Sequence, residues 1–183
     1  MTSKRPEGGV LVVSASPHPR SRPDWLGDHL RALLAHRGHP TAHTRVRDLP
    51  ATALLLADTG HRDLRAALAD AEGAAGIVFV TPIYRAAYAG LLKVFLDVLP
   101  RHGLRDKAVL PVGVGGSPAH LLALDYALRP VLQAMAARHV VRGHFVHDRD
   151  LPLDGAPGAG VLAGLAVAAD TLSAALVPLP AEV

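Results

Sequence analysis

Residues 76–97 read Gly-Ile-Val-Phe-Val-Thr-Pro-Ile-Tyr-Arg-Ala-Ala-Tyr-Ala-Gly-Leu-Leu-Lys-Val-Phe-Leu-Asp, and this stretch decides the fold. Residues 77–80 are apolar and β-branched or aromatic, which is typical of a strand buried on both faces of a parallel sheet. We expect the strand to stop before Pro82, because proline has no N–H to donate. Apolar residues then recur at helical spacing through residues 91–99, which indicates an amphipathic helix. Ligands of open α/β sheets bind at such strand-to-helix loops, so a site is predicted within residues 81–88.

Strand-like and helix-like segments alternate along the rest of the chain. The predicted strands are residues 10–14, 41–46, 77–80, 107–114 and 139–146. The predicted helices are a segment that begins near Trp25 and is closed by Gly38, followed by residues 63–71, 91–99, 121–135 and 161–177. Because parallel strands are joined by right-handed crossovers, this order predicts an α/β fold. It is a flavodoxin-like, doubly wound, five-stranded parallel sheet with strand order 2-1-3-4-5 and helices on both faces.

The chain of 183 residues is long enough for one domain with a single core, and it has no internal repeat. We predict that the domain spans residues 10–177, between a polar tail at residues 1–9 and a second tail at residues 178–183.

The composition limits the classes of function. Hydrophobic residues make up 50% of the chain but aromatic residues only 4%, so Ala, Leu and Val must build the core. The net charge is +3 with Lys and Arg scattered among acids, which favours a phosphate-bearing small molecule over nucleic acid as a ligand. The absence of cysteine excludes disulfides, thiolate metal sites and a thiol nucleophile. No apolar run reaches the ~18 residues of a membrane span and residues 1–9 lack the core of an export signal, so a cytoplasmic protein is expected.

The loop after the first strand is predicted to bind phosphate. It combines hydroxyl groups and arginines just before a helix N-terminus, where backbone N–H groups and the helix dipole favour an anion. The candidate phosphate ligands are Ser16, Arg20, Ser21 and Arg22. An ordinary solvated turn is the alternative interpretation.

The loops after the third and fourth strands are predicted to hold a planar ring. They open on the same edge of the sheet as the first loop, which is the geometric basis for one composite site. The candidate ring-binding residues are Pro82, Ile83 and Tyr84 in one loop and Gly115, Gly116 and Ser117 in the other. The paired glycines let the backbone approach a ligand closely. A ligand with a phosphate at one end and a flat polar heterocycle at the other fits this arrangement, and FMN is such a ligand.

Three segments of the chain carry a family resemblance. Residues 81–93 read Thr-Pro-Ile-Tyr-Arg-Ala-Ala-Tyr-Ala-Gly-Leu-Leu-Lys, residues 115–123 read Gly-Gly-Ser-Pro-Ala-His-Leu-Leu-Ala, and residues 125–132 read Asp-Tyr-Ala-Leu-Arg-Pro-Val-Leu. Together they resemble the NAD(P)H-dependent FMN reductases, most closely those that supply reduced FMN to alkanesulfonate monooxygenases. The similarity extends from about residue 10 to residue 148.

The resemblance implies an enzyme that transfers hydride from NADPH or NADH to N5 of FMN, with a flavin-dependent monooxygenase as a possible partner. It also implies a homodimer or homotetramer. Tyr126 matches the tyrosine that the family carries in a π-bulge at the oligomer interface, so it is the candidate for a role in flavin transfer. The residues themselves predict a kink or bulge there, because Pro130 removes a backbone hydrogen bond of the helix.

The first loop departs from the family pattern. His18 stands where the family has arginine, while Pro23 and Asp24 replace hydroxyl residues. A carboxylate stabilises a helix N-terminus but repels a phosphate beside it. This departure bears on the affinity for FMN rather than on the fold.

Two other functions remain open from the sequence. One is a flavoenzyme that retains FMN and reduces quinones or azo dyes. The other is a non-catalytic flavodoxin-like binding protein whose first loop no longer holds phosphate. A metal site at His144 and His147 is disfavoured, because residues three apart on a strand point to opposite faces.

Overall fold

A computed structural model gives the structure of the protein and describes residues 8–176. The helices and strands in chain order are β1 (Val10–Ser14), α1 (Arg22–His36), β2 (Thr41–Arg45), α2 (Ala51–Leu55), α3 (Arg62–Gly73), β3 (Gly76–Tyr84), β4 (Ala87–Tyr88), α4 (Gly90–Val98), β5 (Ala108–Gly115), α5 (Arg129–Ala134), β6 (His139–Val140), β7 (His144–His147) and α6 (Ala159–Leu176). Short 3₁₀ helices cover Val46–Asp48, Pro118–Leu121 and Asp148–Asp150, and a π-helix covers Leu124–Leu128.

The central sheet has the predicted strand order. Its parallel strands run β2-β1-β3-β5, and both β6 and β7 pair with β5 at the next position. The predicted fifth strand is therefore present but broken in two. At the break, the guanidinium group of Arg129 donates hydrogen bonds to the carbonyl oxygens of Val140 and Val141 at 2.7 and 3.0 Å.

Two apolar layers cover the two faces of the sheet, as predicted. Side chains alternate along β1, so Val10 and Val12 pack with α1 and α6 while Leu11 and Val13 face α3 and α4. Leu, Val and Ala make up most of both layers, and the fully buried side chains of Phe79 and Phe95 are the largest. This packing leaves the carboxyl ends of β1, β3 and β5 at one edge.

The strand β3 is longer than predicted. It continues through Pro82 to Tyr84 and then turns back into β4, which pairs with it in an antiparallel hairpin. The prediction that the strand stops before Pro82 is wrong. At the level of Pro82, β3 still pairs with β5 on one side, but β1 has already ended on the other side, at Val80. Position 82 therefore behaves as an edge position, where the missing N–H is tolerated.

The segment after β5 has the helix defect that Pro130 predicts. The π-helix at Leu124–Leu128 precedes α5, and Tyr126 lies in its middle. Leu124, Leu128 and Leu132 are buried as expected of an apolar face. Leu121 and Leu122 are exposed instead, at the end of the 3₁₀ helix that precedes the π-helix.

Hydrogen bonds connect the segment before β1 to the end of α3 and to the segment between α3 and β3. Gly8 N donates to Gly73 O at 3.0 Å and Gly9 O accepts from Ala75 N at 2.9 Å, so residues 8 and 9 contact the domain. Residues 1–7 and 177–183 lie outside the described residues, and they include most of both predicted tails.

The last helix is more apolar than the sequence analysis anticipated. Its 18 residues have a mean hydropathy of 1.7, which by length and composition alone would suffice to cross a membrane. In the fold α6 lies over the sheet and packs against it through its buried residues, which are Val161, Leu165, Ala168, Ala169 and Leu172.

Candidate active site

A cavity of about 340 Å³ opens at the carboxyl edge of the sheet. It is lined by Ser16, His18, Pro19, Arg20, Ser21, Arg22, Pro23, Pro82, Ile83, Tyr84, Val114, Gly115, Gly116, Asp148 and Leu153. The structure thus brings together every predicted cofactor ligand except Ser117, whose Oγ instead accepts a hydrogen bond from Ala119 N at 3.3 Å. The volume falls within the range of about 300–1,000 Å³ that small-molecule sites occupy.

The first loop presents the positive end of α1 to this cavity. Ser21 caps the helix by accepting a hydrogen bond from Asp24 N at 3.2 Å. Ser16 is buried and its Oγ accepts from His18 N at 3.3 Å, which folds the loop back on itself. Arg20 is exposed at the turn with φ +54°. Pro23 has no N–H and Asp24 N is bonded to Ser21, so the dipole of α1 and the guanidinium group of Arg20 are the features that suit a phosphate here.

Arg22 has a second contact that the sequence did not indicate. Its Nε donates to Asp148 O at 3.1 Å and to Leu151 O at 2.7 Å. Arg22 therefore lines the cavity while it also holds the loop after β7 against α1.

The sequence predicts that the Asp24 carboxylate lies beside the phosphate, but Asp24 does not line the cavity. The residue is 6% exposed, and its carboxylate accepts a hydrogen bond from Ser14 Oγ at 2.6 Å and pairs with Arg47. Arg47 also donates to His18 O at 3.2 Å. The carboxylate thus anchors the base of the loop, and a guanidinium group offsets its charge.

The β3–β4 hairpin forms a second wall. Its two turn residues, Arg85 and Ala86, have φ of +52° and +59°, a left-handed conformation that costs energy without glycine. Thr81 holds the hairpin in place, because its buried Oγ1 accepts from Ala89 N at 3.0 Å at the start of α4. Tyr84 is 45% exposed beside the cavity, so this wall is open to a second ligand.

The glycines at the end of β5 have close side-chain neighbours. A Cβ at Gly115 would lie 2.6 Å from His120 Nδ1, and a Cβ at Gly116 would lie 3.2 Å from Asp148 Oδ2. Asp148 is a cavity residue that sequence reasoning missed, and its only signal was its position after the fifth strand, at the same sheet edge. Its carboxylate lies 3.0 Å from His147 Nδ1.

Tyr126 lies apart from the cavity. It is 78% exposed on the π-helix and is not among the lining residues. Within residues 8–176, no group of three or more His, Asp or Glu side chains is placed to hold a metal ion.

The chain matches a family model described as NADPH-dependent FMN reductase over residues 9–151. The chain belongs to this family. FMN reductase (NADPH) of Pseudomonas putida is 42% identical over 142 residues, which cover 76% of this chain and 71% of that protein. FMN reductase (NADPH) of Escherichia coli is 37% identical over 139 residues, which cover 76% of this chain and 73% of that protein.

Among solved structures, the apo form of the NADH:FMN oxidoreductase EmoB resembles this fold with a TM-score of 0.86 and 41% sequence identity. The match covers 93% of this chain and 91% of the EmoB chain. The predicted fold, the family and its flavin reductase chemistry with FMN and NADPH or NADH are thereby confirmed. The individual ligands of FMN remain predictions.

Proposed function

We propose that the protein reduces FMN with NADPH or NADH and that FMN binds in the 340 Å³ cavity. The observation that supports this proposal is the convergence of three separate loops on one cavity in a member of an FMN reductase family. Each loop has the chemistry that one part of FMN requires.

The first loop would hold the phosphate. The N-terminus of α1, the hydroxyl groups of Ser16 and Ser21, and the guanidinium group of Arg20 supply donors and positive charge. Arg22 keeps the loop after β7 in contact with α1, so the cavity is closed on that side.

The hairpin and the glycine loop would hold the ring. Pro82, Ile83 and Tyr84 offer an apolar wall, and the backbone at Gly115 and Gly116 can approach the edge of the ring because no Cβ intervenes. When bound, FMN accepts a hydride from the nicotinamide at N5, a step that is the chemistry of the two cofactors. The protein orients the ring and leaves one side open at Tyr84 for the nicotinamide.

Anaerobic rapid mixing of the protein with FMN and either NADPH or NADH tests the proposal. Flavin absorbance should bleach only when protein, FMN and a nicotinamide are all present. Gly116→Leu should abolish bleaching because its side chain would enter the cavity. Gly160→Leu is the matched control, since a Cβ at Gly160 has no described atom within 4 Å. Failure of the wild-type protein to bleach FMN with both nicotinamides would overturn the proposal.

We also propose that FMN is a substrate that leaves the protein in reduced form. The protein would then work in the cytoplasm, where a flavin-dependent monooxygenase would use the reduced FMN. The cavity is open at Tyr84 and Gly116, which suits exchange. Gel filtration of protein mixed with FMN should separate the yellow colour from the protein. Colour that stays with the protein would favour the alternative, an enzyme that retains FMN.

A homodimer or homotetramer is proposed on the basis of an apolar surface beside the π-helix. Leu121, Leu122 and Tyr126 are 40%, 55% and 78% exposed, and a second copy of the chain would cover them. Light scattering should show that Tyr126→Glu lowers the molecular mass of the assembly. Leu56→Glu is the control, because Leu56 is 74% exposed elsewhere on the surface. A monomeric wild-type protein would contradict this proposal.

A further inference from the structure

We propose that His43 takes up a proton when the phosphate group of FMN binds, and that this proton increases the preference for FMN over riboflavin. The inference depends on the proposed function, because it requires the phosphate to lie at the first loop. His43 itself is on β2, beneath that loop.

A chain of hydrogen bonds connects His43 to the base of the first loop. Ser14 Oγ donates to Asp24 Oδ1 at 2.6 Å, His43 Nε2 lies 2.9 Å from Ser14 Oγ, and His43 Nδ1 lies 2.9 Å from Asp28 Oδ1. The His43 side chain is only 4% exposed. Gly27 makes room for the ring, since a Cβ there would lie 2.7 Å from His43 Nε2.

The three contacts in this chain need three hydrogens. The 2.6 Å separation of Ser14 Oγ and Asp24 Oδ1 is that of a hydroxyl bonded to a carboxylate, so the Ser14 hydrogen is used there. His43 must then donate from Nε2 to Ser14 and from Nδ1 to Asp28, because an ionised carboxylate only accepts. Both ring nitrogens carry hydrogen only in the imidazolium form. The geometry is therefore complete only with one extra proton.

The proton on His43 also changes the net charge near the predicted phosphate site. Two groups of ion pairs lie on either side of Ser14. Asp28 of α1 pairs with His43 and Arg45 of β2, and Arg47, just beyond β2, pairs with Asp24 of α1 and with Asp48. The hydrogen bonds of Ser14 join the two groups into one charged set. Three carboxylates oppose two guanidinium groups, so the set carries one net negative charge when His43 is neutral. Protonation of His43 makes the set neutral.

Burial opposes this protonation in the free protein. Desolvation lowers the pKa of His43, and although the hydrogen bond to Asp28 raises it, the pKa stays below its ordinary value of 6.5. The free protein therefore lacks the extra proton in neutral solution, and one contact in the chain then has no hydrogen.

The first loop transmits this charge to the phosphate site. Asp24 N is bonded to Ser21 Oγ, and Arg47 is bonded to both Asp24 and His18 O. Ser21 and His18 line the cavity, so a phosphate there lies close to the charged set. Removing one negative charge should strengthen phosphate binding on the order of threefold to fivefold at a partly solvated site. Linkage is reciprocal, so bound phosphate should favour the protonated form by the same factor.

The experiment follows His43 by NMR across pH in the free protein, with FMN and with riboflavin, which lacks the phosphate. FMN should raise the pKa of His43 by about 0.5–0.7, which corresponds to that factor, and riboflavin should leave it unchanged. A bound FMN that leaves the pKa unchanged, or an equal shift with riboflavin, would overturn the inference. Failure of both flavins to bind would instead overturn the proposed function, on which the inference depends.

Two variants separate this mechanism from a purely structural role of the chain. Asp28→Asn removes one carboxylate from the charged set, so FMN should bind more tightly above neutral pH while riboflavin binding stays unchanged. Asp170→Asn is the matched control, because it also removes a carboxylate from an ion pair. Asp170 lies on α6 and pairs with Arg37 at 2.6 Å, outside the charged set around His43. The phosphate of FMN itself titrates near pH ~6, so each variant is compared with wild type at the same pH. Weaker FMN binding in Asp28→Asn with unchanged riboflavin binding would refute the mechanism.

Discussion

Substituting Gly115 by alanine tests whether the end of β5 must be glycine for FMN to bind. A Cβ at this position would lie 2.6 Å from His120 Nδ1 and 3.4 Å from its Cβ. The ring of His120 must move or the loop must shift, because real Cβ contacts are not that short. His120 Nδ1 is buried and has no hydrogen-bond partner among the described residues, so the neighbours of the ring leave it little room to move.

Overpacking of this kind costs about 1–3 kcal/mol. If the loop absorbs the strain, FMN should bind about 5- to 150-fold more weakly, since each ~1.4 kcal/mol is a factor of ten. If the strain instead destabilises the whole folded protein, Tm should fall by about 2–4 °C for each kcal/mol in a chain of this length. Fluorescence quenching of FMN and thermal unfolding measure the two effects separately.

A second substitution makes the reasoning refutable. His120→Ala removes the atom that the new Cβ meets, so Gly115→Ala with His120→Ala should recover most of the lost FMN affinity or Tm. Gly160→Ala in α6 is the control and should be neutral or stabilising by up to about 1 kcal/mol, because glycine disfavours helix. Wild-type behaviour of Gly115→Ala, or no recovery in the double variant, would show that the contact with His120 does not constrain the loop.

Three further predictions follow from particular side chains. Ser21→Ala removes the cap of α1 and should lower stability by about 1 kcal/mol, and it should weaken FMN more than riboflavin in quenching titrations; equal losses would argue against a phosphate at this loop. Thr81→Val keeps the shape but leaves Ala89 N without its acceptor, so chemical denaturation should show a loss of about 1–3 kcal/mol, and an unchanged midpoint would contradict the assigned hydrogen bond. Burial lowers the pKa of His144, so the unfolded chain takes up this proton first as pH falls below 6.5 and the free energy of unfolding should decrease there. His144→Gln should flatten that part of the stability profile between about pH 7 and pH 5, and an unaltered profile would exclude His144 as its source.

Local sequence patterns were sufficient for the elements that place the site. The apolar run of β1 predicted its bounds of Val10–Ser14 correctly, and Pro130 predicted the helix defect that appears as a π-helix around Tyr126. Both signals depend only on neighbours along the chain, namely burial on two faces and a missing N–H. Because parallel strands all end at the same edge of a sheet, the same patterns also predicted that the three loops meet at one site.

Contacts between distant segments decided what the patterns could not. The strand β3 passes Pro82 because β1 has ended at that level, and Asp148 enters the cavity because β7 pairs beside β5 and Arg22 holds the loop that follows. The charge of Asp24, which the sequence places at a phosphate site, is turned into the protein by Ser14 and Arg47 from two other elements.

The amino-acid sequence by itself therefore determined the order of the main strands and helices, the edge at which the site lies and the family, because these follow from periodicity and from short motifs. Only the tertiary structure decided which charges face the cavity and which are neutralised beneath it. Electrostatic pairing depends on distances of a few ångströms between residues far apart in the chain, and no local pattern encodes those distances.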